Sequence, residues 1–351
     1  MHQNARGVHV VFGPDLGAYA AYGWSMTTNS DTSIARGILL ICIGVFAISI
    51  NDMMIKRLSG GYPLHQIVFT RTAIGIILSF GILHFEGGLS LLKTDRPVLH
   101  ILRGLTLVAA NMTFFASLAV LPLGLTTALF FVGPLFITLF SFLFLGENVG
   151  PLRLGAIVVG FMGVIVMQEP WGGGSDYGPP WLFALPVIAA ALYASMAVMT
   201  RALGVKSTAA ALSIYIQLMF LVVSSLFYLA VGQGQVDPGP DQPSLHFLFR
   251  AWTWPADQDW PFFIIIGVCN GIIAYCITAA YRMAPSASIA PYEYIGLPLA
   301  IFWGWLIFGE WPTPSIWIGC AMILGAGIFV FFRERKKGRV IAPKRPGSRV
   351  G

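Results

Sequence analysis

"LPLGLTTALFFVGPLFITLFSFLFLGENVGPLRLGAIVVGFMGVIVM" (residues 121–167) returns later in the chain as "MAPSASIAPYEYIGLPLAIFWGWLIFGEWPTPSIWIGCAMILGAGIFVF" (residues 283–331). At a separation of 163 residues Pro122 meets Pro285, Gly146 meets Gly309 and Glu147 meets Glu310; after a one-residue insertion Gly155 meets Gly319 and Gly163 meets Gly327. A match held at one spacing marks an internal duplication. Both copies are nearly free of charge, so the duplicated unit is a set of membrane segments, and the number of segments per copy decides the fold.

That number follows from hydropathy. The chain has 351 residues, 56% of them hydrophobic and 10% charged, with a mean hydropathy of +0.76, which places it with integral membrane proteins. A transmembrane helix needs about 20 predominantly apolar residues. Ten stretches approach this: 37–55, 64–83, 98–120, 123–145, 152–167, 181–199, 208–231, 261–280, 287–308 and 316–332. Five fall in each half. Because five is odd, the second half enters the membrane from the opposite side, which makes the duplication an inverted repeat. The expected fold is all-α and integral to the membrane, with ten transmembrane helices arranged as inverted five-helix repeats over 37–168 and 181–332. A lead-in over 1–36 is expected to be disordered, and a basic tail covers 333–351. Residues ahead of Arg36 lack a basic segment followed by an apolar core, so no cleaved signal peptide is expected, and either Met1 or Met26 can be the start.

Charge sets the orientation. Eight of the 21 Lys and Arg residues follow Phe332, which puts the tail, and with ten spans the amino terminus, in the cytoplasm of a cell whose inner membrane the chain crosses. The inside loops then hold Lys93, Arg96, Arg153, Arg201, Lys206 and Arg282; the outside loops hold Arg250 and the exceptions Lys56 and Arg57. The outside loop "GQGQVDPGPDQPSLHFLFRAWTWPADQDW" (residues 232–260) reads as a solvated connection with interfacial Trp252, Trp254 and Trp260, or as a lid.

Several function classes drop out. Cys42, Cys269, Cys276 and Cys320 all lie in spans and read as small buried residues. There is no GxxxxGK[ST], HExxH or GxSxG motif, and the histidines lack metal-ligand spacing, so neither ATP-driven transport nor an enzyme nor a cofactor is expected. A nucleic-acid partner is not expected either, since the basic residues sit mainly in a membrane-anchoring tail. What remains is a small-molecule transporter, for which inverted repeats place the substrate between the halves near the midplane.

Charges inside the membrane locate that site, because each one costs about 2.5–3.5 kcal/mol at the bilayer centre unless it is paired or hydrated. Asp52, with Asn51 beside it, and Arg71 lie toward the outer ends of the first two spans, where they can form an ion pair. Arg103 and Glu293 enter from the inner side; Arg103 can snorkel to the interface or pair with Glu293. Glu293 stands between Tyr292 and Tyr294, after Pro291 and before Gly296 and Pro298, so its helix lacks two backbone donors and is expected to open locally. The cavity is expected to be asymmetric, with Thr126, Thr127, Phe130 and Phe131 on one wall and Tyr292, Glu293, Tyr294 and Trp303 on the other. Such walls suit an organic metabolite more than a bare ion. Glu147 and Glu310 read as structural carboxylates at helix amino termini, and Gly155, Gly163, Gly319 and Gly327 as helix contacts.

The paired Pro and Gly-Glu turns at one repeat distance resemble the EamA family of the drug/metabolite transporter superfamily, over residues 37–332. "INDMMIKRL" (50–58), "RPVLHILRGL" (96–105) and "GPLFITLFSFLFLGENVG" (133–150) are similar to its branch of S-adenosylmethionine uptake carriers, to which riboflavin uptake carriers are related. The resemblance implies alternating access by rocking bundles, driven by gradients or exchange. It places Asp52, Arg71 and Arg103 in matching stretches, and it does not extend to Glu293. An exporter of amino acids or toxic metabolites would share the whole fold.

Overall fold

The computed structural model describes residues 16–86, 88–93, 97–145, 150–169, 179–202, 209–283 and 286–336, and all regular structure among them is helical. The helices are α1 (Leu16–Leu58), α2 (Leu64–Glu86), α3 (Pro97–Leu118), α4 (Leu123–Phe130), α5 (Gly133–Leu145), α6 (Pro151–Met167), α7 (Trp181–Ala202), α8 (Ala209–Val231), α9 (Pro243–Phe249), α10 (Trp260–Met283), α11 (Ser286–Glu293), α12 (Gly296–Phe308) and α13 (Pro314–Lys336). α1 begins well ahead of the expected boundary at 37, and its membrane-length apolar part is Ile34–Leu58.

Among the described residues eight helical stretches are long and apolar enough to cross a membrane, against ten expected, and one of the eight, Leu123–Phe144, runs across α4 and α5. The other two stretches are helical but shorter. One is α6, of 17 residues. The other divides into α11 and α12. Proline is the cause of this division. Pro298 has no N–H to give the Tyr294 carbonyl, which takes the Leu297 N–H instead at 3.2 Å, while Tyr294 and Ile295 donate to Pro291 and Tyr292 at 3.3 and 3.2 Å. These i→i−3 bonds tighten one turn and interrupt the α-helix.

The same interruption falls at the equivalent place in the first half. α4 ends at Phe130 and α5 starts at Gly133, just as α11 ends at Glu293 and α12 starts at Gly296, again 163 residues apart. There Pro134 leaves the Phe130 carbonyl without its helical donor, and Val132 donates to Leu129 at 3.4 Å. The two broken helices are therefore built alike, as the duplicated sequence requires.

The repeated Gly-Glu turn also has a structural reason. Gly309 takes φ 68° at the end of α12, a left-handed conformation open to glycine at no steric cost. The turn sends the next N–H back, so that Glu310 donates to the Gly304 carbonyl at 3.0 Å. Glu310 does sit at a helix amino terminus, but at that of α4, not α13: its carboxylate accepts the Leu123 N–H at 2.9 Å. Glu147 lies outside the described residues.

Glycines set several of the helix contacts. α6 packs along α13, where a Cβ on Gly163 would lie 2.9 Å from the Gly319 carbonyl and a Cβ on Gly319 would lie 2.7 Å from the Gly163 carbonyl. Gly327 of α13 is likewise a close contact, where a Cβ would overlap the Tyr294 hydroxyl, and of the four expected contact glycines Gly155 alone faces open space. α2 meets α10 at Gly75, beside Asn270 and the Gly267 carbonyl. All four cysteines are free thiols, and Cys269, Cys276 and Cys320 are buried.

Candidate functional site

Two polar groups lie within this bundle. The first is built on α1, α2 and α3. Arg71, 4% exposed, donates from Nη1 to Asn51 Oδ1 at 3.2 Å and from Nη2 to Asn111 Oδ1 at 2.7 Å. Asn51 Nδ2 in turn donates to Asp52 Oδ1 at 3.0 Å. Arg71 and Asp52 are thus joined by a relay through Asn51, where the sequence allowed a direct ion pair. The guanidinium is held over the rings of Phe115 and Phe220, 5.3 and 5.6 Å from their centroids. Asp52 and Asn111 keep part of their surface accessible. This group presents a carboxylate and an amide, with its cation locked behind them.

The second group lies toward the opposite face. Tyr193 of α7 is in the electrostatic field of both Glu293 and Arg103, and Tyr294 is in that of Glu293. Arg103 is buried, at 9% exposure, so its side chain stays inside the protein. Glu293 closes α11 at the interruption itself, where the sequence placed a local opening.

Aromatic rings join the groups. Phe131 and Tyr294 pack with centroids 5.3 Å apart. They are repeat equivalents, so the two interruptions meet face to face. Phe130 contacts Tyr193 at 5.7 Å and Phe114 at 5.2 Å. Trp303 of α12 donates from Nε1 to Ser49 Oγ of α1 at 3.1 Å and lies 6.5 Å from Phe46. Tyr292 stands apart, packed among Ile41, Val45, Ala280 and Ile289. The buried hydroxyls of Thr126 and Thr127 on α4 have no hydrogen-bond partner among the described residues. A buried hydroxyl in that condition is a ready partner for a bound molecule.

Asn111, Ser49 and Tyr193 were not singled out from the sequence. A search for charge alone passes over neutral polar residues, and extending the rule of costly intramembrane groups to amides would have found Asn111.

Over one end of the bundle lies the 232–260 connection. Tyr62, in the turn between α1 and α2, donates to Asp259 Oδ2 at 2.7 Å, and Gln66 exchanges two hydrogen bonds with the backbone of Thr253. Arg250 reaches the Ser59 and Gly60 carbonyls. Burial, and then the hydrogen bond to Asp259, raises the pKa of the Tyr62 phenol. Trp252 is enclosed by His65, Phe69 and Tyr228, whereas Trp254 is 84% exposed. The connection itself is braced by Asp237, whose two oxygens lie 2.8 and 2.9 Å from His246 Nδ1. Burial pushes the Asp237 carboxyl up, but His246, the Gly239 N–H and the Arg250 charge together hold it below its ordinary value.

Among the described residues no His, Cys, Asp and Glu side chains gather as a metal site. The arrangement gathers aromatic rings with carboxylates, amides and hydroxyls.

The chain is similar to known transporters. Residues 35–168 match the EamA-like transporter family. A riboflavin transporter from Brucella anthropi is 29% identical over 279 residues, spanning 80% of this chain and 92% of that protein. An S-adenosylmethionine uptake transporter from Rickettsia prowazekii is 27% identical over 301 residues, spanning 86% and 94%. A pseudopaline exporter from Pseudomonas aeruginosa is 26% identical over 307 residues, spanning 87% and 98%. The chain is therefore a multi-pass membrane protein whose residues 35–168 match the EamA-like transporter family and which is similar to known transporters along most of its length.

Proposed function

We propose that this protein is a secondary transporter that carries a small organic metabolite across the cytoplasmic membrane by alternating access, taking up a vitamin- or nucleoside-like compound such as riboflavin or S-adenosylmethionine. The observation that carries this reading is the meeting of the two helix interruptions at Phe131 and Tyr294, with polar groups on either side. Interrupted helices at the interface of inverted repeats form the binding region in many secondary transporters. Residues 37–168 and 181–332 are the two repeats, and the basic residues after Phe332 put both termini in the cytoplasm.

The roles divide by chemistry. Asp52, Asn51 and Asn111 bind one end of the substrate, with Arg71 holding the amides in place. Glu293 and Tyr193, with Arg103 beside them, bind the other end or take up a coupled proton. Phe131, Tyr294 and Trp303 enclose the ring system, and Tyr292 supports α11 from behind. The substrate leaves chemically unchanged, as no catalytic motif is present in the sequence.

Export is the second reading. It is favoured by the likeness to an exporter and by the near-equivalence of the two faces that inverted halves create. Accumulation of labelled riboflavin and, separately, labelled S-adenosylmethionine in cells making the chain tests both readings. Uptake of either compound, lost with Glu293→Gln at unchanged expression, is the expected result. No uptake of either by protein shown to be in the membrane rejects the uptake reading, and normal uptake by Glu293→Gln removes that residue from the mechanism.

A further inference from the structure

The site has a latch at one end that no binding role explains. Lys56 Nζ lies 2.6 Å from Glu310 Oε1, with the two side chains 10% and 24% exposed. Lys56 also donates to the Leu121 carbonyl at 2.7 Å and stands 5.3 Å from the Phe308 ring, while Glu310 Oε2 accepts the Leu123 N–H at 2.9 Å. One ion pair thereby ties together the end of α1, the start of α4 and the end of α12. Lys56 and Arg57 break the charge bias of the loops, and for Lys56 the latch is a reason to be there.

What the latch holds gives it meaning. α4 runs from Leu123, at Glu310, to its interruption after Phe130; α12 runs from its interruption before Gly296 to Phe308, beside Lys56. The two segments lie against each other, with Gly124 of α4 so close to Ile301 of α12 that a Cβ there would be 2.9 Å from Ile301 Cγ1. Their inner ends meet at Phe131 and Tyr294 and their outer ends at Glu310 and Leu123. Both segments run from the site to the Lys56 face, so a molecule that enters between them has to part them. Parting them separates Glu310 from the α4 amino terminus or from Lys56.

We propose that Lys56 and Glu310 are the gate residues of this face, an ion pair that forms when the face is closed and breaks when it opens. The proposal rests on the transporter reading but is tested without a transport assay. Breaking a charge pair held at this depth shifts a two-state equilibrium by about ten-fold or more toward the open state. The probe is a cysteine in place of Ser49, which lies behind the gate on α1 and bonds Trp303 of α12.

The rate at which Ser49→Cys reacts with a membrane-impermeant maleimide is measured in intact cells and in inverted vesicles, with the latch intact and with Glu310→Gln or Lys56→Met. Each form is also measured with Ser49 retained, to subtract labelling of the native cysteines. Gln can still accept the Leu123 N–H, and Met can still cover Phe308, so each change removes charge with little loss of packing. The expected result is labelling about ten-fold faster from the outside, the Lys56 face, in intact cells, with labelling in inverted vesicles unchanged or slower; faster labelling from the inside alone overturns the proposal. Equal rates in all forms overturn the proposal. So does faster labelling from both faces, which marks general loosening instead of a gate. Gated labelling without transport of any tested compound would instead count against the substrates named above, and uptake with unchanged labelling would count against the latch alone.

Discussion

If Asp52 and Arg71 communicate through Asn51, removing Asn51 should weaken their coupling. Arg71 makes two charge-assisted hydrogen bonds, worth about 1.5–3 kcal/mol each, or about 3–6 kcal/mol together. Its two ring contacts add about 1–2 kcal/mol. A Gln amide at the same place recovers about 1 kcal/mol through one neutral bond, so Arg71→Gln should cost about 3–7 kcal/mol. Asp52→Asn keeps an oxygen for the Asn51 amide and loses only the counter-charge, for about 1–3 kcal/mol. The double variant should then be less damaged than the sum of the singles by about 1–2 kcal/mol, because neither charge is left alone. Unfolding by sodium dodecyl sulfate titration of protein in dodecyl maltoside supplies the free energies. Repeating the cycle with Asn51→Ala should lower the coupling to what the direct attraction of the two charges supplies. A coupling as large without Asn51 as with it would refute the relay and favour a direct pair, and additive damage in the original cycle would refute any link.

Gly319→Leu should destabilise the protein by about 1–3 kcal/mol or more, because a side chain there meets the Gly163 carbonyl of α6; Gly155→Leu, facing open space, serves as the control and should be near neutral by the same titration. The Asp237 brace should fail in acid. Its carboxyl is held below the ordinary value, so its stabilisation is complete above the unfolded value of about 3.9 and is lost as pH falls through the folded value. Tryptophan fluorescence of the 232–260 connection should therefore change below about pH 4 in the natural protein. With Asp237→Asn that acid transition should disappear, and an identical transition in both forms would show that Asp237 is not its source.

Much of this protein was legible in its sequence, because in a membrane the backbone must satisfy its own hydrogen bonds and apolar length alone marks the helices. The fixed repeat distance located the duplicated helices, and proline chemistry foretold the interruption at Glu293, since a missing N–H acts locally whatever surrounds it. The expected spans that differ do so for local reasons too: 152–167 is a short helix, and 123–145 and 287–308 are broken ones. Partnership was decided elsewhere. That Asn111 accepts from Arg71, that Tyr193 feels the charges of both Arg103 and Glu293, and that Tyr292 packs among Ile41, Val45, Ala280 and Ile289 all depend on helix rotation. Hydrophobic periodicity gives no purchase on rotation when every face of a helix is apolar. Glu310 shows the limit most plainly. Its sequence neighbours point to α13, whereas the left-handed Gly309 turns it back to the amino terminus of α4, a helix 187 residues away along the chain at the bonded Leu123. Sequence fixed which groups are costly in a membrane, and only the packed bundle decided which neighbour relieves each cost.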